Sequence, residues 1–254
     1  MGIAGAVRRA LIAAAFAFVL VPGGVAHAQA FGVAGYEQVV QQQGILAGEF
    51  ASIVAVCPAG KQVIGGGFDV GTSGTLEVSI SAPVDSGNLT DDRWQTFVHN
   101  AGMLTQTATT VAQCATRGLP GYELITNVVS VAAGVATNVG VLCSTGKKVL
   151  AGGFQLETAS AFKLFSSLPA NQQSSFIDNG WNLFVQNTDT LARQAVVFAV
   201  CVDGNVSGYE RQVNQPNVDP ETTLDVSVAC TAGTSACSGP SCRSRERSGP
   251  SPPS

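Results

Sequence analysis

"CPAGKQVIGGGF" occupies Cys57–Phe68, and "CSTGKKVLAGGF" occupies Cys143–Phe154. A cysteine, a turn, a lysine, an aliphatic pair and a glycine cluster are written twice in one chain. A phosphate-binding loop needs a helix N-terminus directly after the glycines, and a Walker pattern needs Lys-Ser/Thr there. Here Lys61 and Lys147 precede the glycines, and the segments that follow alternate like strands. Glycines within a strand instead permit a bulge or a close backbone approach. The stretch therefore reads as one unit of an internal repeat.

Other anchors share its period. Gly-Tyr-Glu occurs at 35–37, 121–123 and 208–210, and a cysteine follows each tyrosine by 21 residues, at Cys57, Cys143 and Cys230. Trp94 and Trp181, Asn100 and Asn187, and Cys114 and Cys201 are each 87 residues apart, and Ser81-Ala82-Pro83 matches Ser167-Leu168-Pro169. Such agreement defines two full repeats of about 87 residues, 35–120 and 121–207, with 208–233 as the start of a third. The third follows its template as far as "VACTAG", then gives way to a Pro/Ser/Arg-rich tail at 234–254, whose composition predicts disorder.

Within a repeat the periodicity is two. Ile53, Ala55 and Cys57 alternate with their neighbours, as do Val139, Val141 and Cys143, and Leu76, Val78 and Ile80 alternate with Glu77 and Ser79. "WQTFVHN", "WNLFVQN", "ATTVAQC" and "AVVFAVC" read as strands. The expectation is an all-β chain of about six strands per repeat.

The leader reads as an export signal. Arg8 and Arg9 precede the apolar run Ala10–Val21, and Ala26-His27-Ala28 supplies a small-x-small cleavage site. Residues 1–28 are thus expected to be removed, leaving a short N-terminal segment at 29–34. The apolar run falls short of the roughly 20 residues that span a bilayer, so no membrane span is expected after cleavage. A secreted, periplasmic or cell-surface location follows. In such a compartment the cysteines invite disulfides. The economical pairing is Cys57–Cys114 and Cys143–Cys201, since each pair brackets its repeat identically. No CxxC or Cys-His cluster suggests zinc.

Charged residues make up 12% of the chain and the formal net charge is −4. That balance argues against a nucleic-acid partner, whose phosphates demand a Lys/Arg surplus. His99 stands alone without the orienting partners of a catalytic set and reads as a surface strand residue. No catalytic residue, cofactor or metal site is expected. Asp91, Asp92, Asp178 and Asn179 lie in the variable loop before each tryptophan, without a calcium-loop consensus. Trp94 and Trp181 have two readings: sugar-stacking platforms beside those loop residues, or buried anchors. Their position at the head of an apolar strand favours the second.

The residues Cys57, Pro58, Gly60, Gly65–Phe68, Trp94, Asn100 and Cys114, with Cys143, Gly146, Gly152–Phe154, Trp181, Asn187 and Cys201, resemble secreted bacterial repeats of the form C-P-x-G…G-G-G…W…N…C. They also resemble the β-prism architecture of the vitelline membrane outer-layer protein family. The resemblance implies a pseudo-threefold prism with one sheet per repeat, its third unit incomplete. The functional expectation is an exported, non-catalytic protein that binds carbohydrate or another cell-surface polymer. The alternatives are a structural envelope component and, third, an enzyme of unknown reaction. The incomplete unit adds an expectation of self-association through an unprotected edge.

Overall fold

The computed structural model describes residues 33–84, 91–170 and 179–205, together with 214, 216, 217, 219 and 226–228. The leader, the third Gly-Tyr-Glu, Cys230 and the tail lie outside the described residues, and so do the expectations that rest on them.

Twelve strands form where the period-two pattern places them, six in each repeat. The first repeat gives β1 (Glu37–Ile45), β2 (Phe50–Val56), β3 (Lys61–Asp69), β4 (Leu76–Val84), β5 (Arg93–Asn100) and β6 (Gln106–Thr116). The second gives β7 (Glu123–Val131), β8 (Ala136–Leu142), β9 (Lys147–Leu156), β10 (Phe162–Ala170), β11 (Gly180–Asn187) and β12 (Arg193–Asp203). A single 3-10 turn at Ala159–Ala161 is the one helical element among the described residues.

The strands pair antiparallel in the orders β1-β6-β3, β10-β11-β8 and β2-β5-β4-β9-β12-β7. The long sheet is a fusion, because β4 of the first repeat pairs with β9 of the second at Ile80↔Gln155 and Ser81↔Phe154. Each repeat therefore builds two three-stranded sheets, where the resemblance implies one. Side chains from both sheets of the first repeat share a core, with Ala55, Trp94 and Cys57 meeting Val63, Ala112 and Cys114. One disulfide crosses each of these layers, Cys57–Cys114 and Cys143–Cys201, as the spacing predicts. Closing loops of 57 and 58 residues, each bridge contributes about 4 kcal/mol in the chain-entropy picture.

Every repeated motif now has a physical reason. Trp94 is 1% exposed, and a methyl at Gly66 on the opposite sheet would overlap its indole ring. Gly152 meets Trp181 in the same way. The indole N–H groups donate to Ser81 Oγ at 3.0 Å and to Ser167 Oγ at 2.9 Å, which accounts for the repeated serines. A β-bulge at Ile64 and another at Leu150 precede these glycines in equivalent places. The Asn100 amide donates to the carbonyls of Ile45 and Leu104 and accepts from Gly102 N–H. Asn187 does the same with Val131, Leu191 and Asp189.

Lys61 pairs with Glu37, and Lys147 with Glu123, tying the Gly-Tyr-Glu motif to the Cys-x-x-Gly-Lys turn. Burial pushes the Glu123 carboxyl up, but hydrogen bonds from Lys147 and Ser144 outweigh it and hold the group below the usual range. Tyr122 bolts one repeat to the other, its hydroxyl donating to the Val63 carbonyl at 2.7 Å.

Two measurements check this account. Gly66→Ala and Gly152→Ala should each destabilise the protein by about 1–3 kcal/mol in denaturant melts, because a well-packed core must make room for a methyl. Thr110 is fully buried and its hydroxyl has no hydrogen-bond partner, whereas its counterpart is Val197. Thr110→Val should therefore raise stability by about 1 kcal/mol; a loss in the same melts would show the hydroxyl to be satisfied.

Candidate functional site

Asp91, Asp92 and Asn179, singled out from sequence before the tryptophans, serve the scaffold. Trp94 and Trp181 are 1% and 7% exposed, so neither offers an indole face to a sugar. This corrects the platform reading in favour of the buried anchor. The Asp92 carbonyl accepts the Cys57 N–H at 2.7 Å, and the Asn179 carbonyl accepts the Cys143 N–H at 2.7 Å. These equivalent bonds staple the loop to the strand end that carries each cysteine. The Asp92 carboxylate accepts from Arg93 Nε at 3.1 Å. Asp91 adopts a left-handed backbone, φ 68°, and its carbonyl accepts the Val63 N–H at 2.6 Å. Asp178 lies outside the described residues. Among the described residues the structure thus brings together no exposed cluster of the predicted ligand residues. Among the described residues no group of three or more His, Cys, Asp or Glu could hold a metal ion.

The strands that bury the tryptophans present a different set of side chains on their opposite face. Along β5, Trp94, Thr96, Val98 and Asn100 are buried, so Arg93, Gln95, Phe97 and His99 point outward. On β2, Phe50 stands directly opposite His99, and Ser52 opposite Phe97. Phe50 is 61% exposed and stacks on the His99 ring at 4.2 Å between centroids, with Phe97 at 6.0 Å. Gln95 Nε2 donates to Ser52 Oγ at 2.7 Å. His99 Nδ1 lies 3.1 Å from a Glu77 carboxylate oxygen across the β4–β5 ladder. His99 is thus the surface strand residue that the sequence predicts, held between an aromatic ring and a carboxylate.

The second repeat makes a related face. Phe184, the counterpart of Phe97, lies 5.0 Å from Phe165, which is 51% exposed at the bulge in β10. Asn182 Nδ2 donates to Asn138 Oδ1 at 2.9 Å beside them. The second ring comes from a different strand in each repeat: Phe50 aligns with Ala136, and Phe165 with Ser79. Both faces combine an exposed and a half-buried aromatic ring with amide side chains on the outer side of a sheet. Sequence reasoning passed over these residues apart from His99, although the alternation itself marks Gln95 and Phe97. Once Trp94 is placed inward, Gln95, Phe97 and His99 must face out.

Compared with known proteins, the chain matches no family model and no curated protein.

The burial of the indoles has a direct check. Only two tryptophans are present, so acrylamide should quench the native fluorescence weakly and gain full access only on unfolding. Strong quenching of the folded protein would return the tryptophans to the surface.

Proposed function

We propose that the protein is exported and non-catalytic, and that it binds carbohydrate or another cell-surface polymer through the outer aromatic faces of its two repeats. The observation that carries this reading is Phe50, exposed and stacked on His99, with Phe97, Gln95 and Ser52 beside it on one face of the sheet. An aromatic face attracts the C–H face of a pyranose, and neighbouring amides and hydroxyls hydrogen-bond to its hydroxyl groups. A small ligand needs a concave site that covers most of its surface. An open strand face suits a long chain instead, gripped weakly at several points, and two such faces on one molecule add by avidity.

The two disulfides support an oxidising compartment. The leader Met1–Ala28 supports export through its charge, apolar run and cleavage site. The runner-up is an envelope component without a specific ligand. It draws on the fact that the repeated tryptophans, asparagines and cysteines all serve packing.

Retention on a panel of insoluble and immobilised polysaccharides separates the two. The mature chain should bind at least one polymer, and Phe50→Ala or Phe97→Ala should each weaken that binding by roughly 2–10-fold, as the loss of about 0.5–1.5 kcal/mol of ring contact requires. The stability of the Phe50→Ala variant, whose ring is the exposed one, should stay within about 0.5 kcal/mol of the parent. Failure to bind any polymer would favour the envelope reading.

A further inference from the structure

The junction between the repeats has a second copy, which no strand fills among the described residues. At β4 a bulge at Ser79 and the proline at Pro83 leave only a short stretch able to pair outward. Ile80 and Ser81 use it, pairing with Gln155 and Phe154 of β9. Entry depends on Gly153. A side chain there would run into the Ser81 carbonyl and come within 2.9 Å of Ala82 Cα. The mating strand must therefore carry glycine immediately before its aromatic residue.

Strand β10 reproduces the acceptor. Its bulge falls at Phe165, the equivalent of Ser79, and Pro169 stands where Pro83 stands in β4. Ser166 and Ser167 lie between, in the places of Ile80 and Ser81. Among the described residues β10 ends its sheet, paired with β11 alone, and Leu168 beside the stretch is 42% exposed. In the repeat register the strand that would fill this edge falls at 234–242, which reads Thr-Ser-Ala-Cys-Ser-Gly-Pro-Ser-Cys and lacks Gly-Gly-Phe.

We propose that β10 is a docking edge for an extended strand of another polypeptide carrying a Gly-Gly-Phe sequence, added antiparallel in the register that β9 adopts on β4. Main-chain bonds supply such recognition, and the glycine supplies the selectivity. This edge adjoins the aromatic face that holds Phe165, but the proposal does not depend on the polymer reading.

A fluorescent peptide of residues 148–157, KVLAGGFQLE, serves as the probe, titrated with the mature chain and followed by anisotropy. Saturable binding is expected, weakened about tenfold or more by Gly153→Ala in the peptide, since the methyl meets backbone that cannot yield. Hydrogen exchange on the mixture should show new protection at Ser166–Leu168. Self-association of the chain that the free peptide disperses would identify the incoming strand as Gly66–Phe68 of another copy. Absence of saturable binding, equal affinity for the two peptides, or protection confined to other strands would each overturn the proposal.

Discussion

An indole ring lying on a bare glycine backbone sets the geometry of each repeat. Trp94 on Gly66 and Trp181 on Gly152 bring the two sheets of a repeat together where any side chain would hold them apart. The other repeated residues follow from that contact. A serine two residues before a proline satisfies the indole N–H, and a disulfide spans the same two layers beside it. A bulge just ahead of the glycine shifts the register of β3 on β6 and of β9 on β12. Large aromatic side chains bury the most area in small domains, and here backbone atoms form part of the surface that receives them.

The joint between repeats uses different means. It consists of a two-pair ladder, a tyrosine hydroxyl on a carbonyl, and equivalent side chains that meet each other. Phe68 and Phe154 pack edge to face at 6.2 Å, while Ile64 and Leu150 share one apolar cluster. Glycine again decides how close the strands come, but now between units. The glycine cluster thus carries two separate tasks in adjacent positions, which explains why it is longer than either would need.

Strand content and disulfide pairing could be read from sequence because each rests on a local or periodic signal. Alternation fixes strand faces, and equal spacing of Cys57 to Cys114 and Cys143 to Cys201 pairs the cysteines. The division of six strands into two sheets could not be read, because alternation says which way a side chain points but not which strand lies beside which. The tryptophans show the limit at the site. Their residue type invites a binding role, and only the glycine across the core shows that the ring is already occupied. Phe97 and His99 carry the surface chemistry instead, and their outward direction follows from Trp94 by parity. That Phe50 joins them depends on β2 pairing with β5, a contact across more than forty residues of chain that periodicity cannot supply.

Neither disulfide links one repeat to the other, and this shapes how the molecule would carry tension. A pull along the chain passes from Cys57 straight to Cys114 and from Cys143 straight to Cys201, so most of each repeat is shielded from load. The span between Cys114 and Cys143, with the short β4–β9 seam, is where the force acts. At about 3.5 Å per extended residue, that span, which holds β7 and β8, could lengthen to roughly 100 Å once those strands are drawn out, while the loops 57–114 and 143–201 stay closed. The molecule would then yield at its middle like an extensible tether, with the closed part of each repeat, Phe97 and Phe184 included, kept intact.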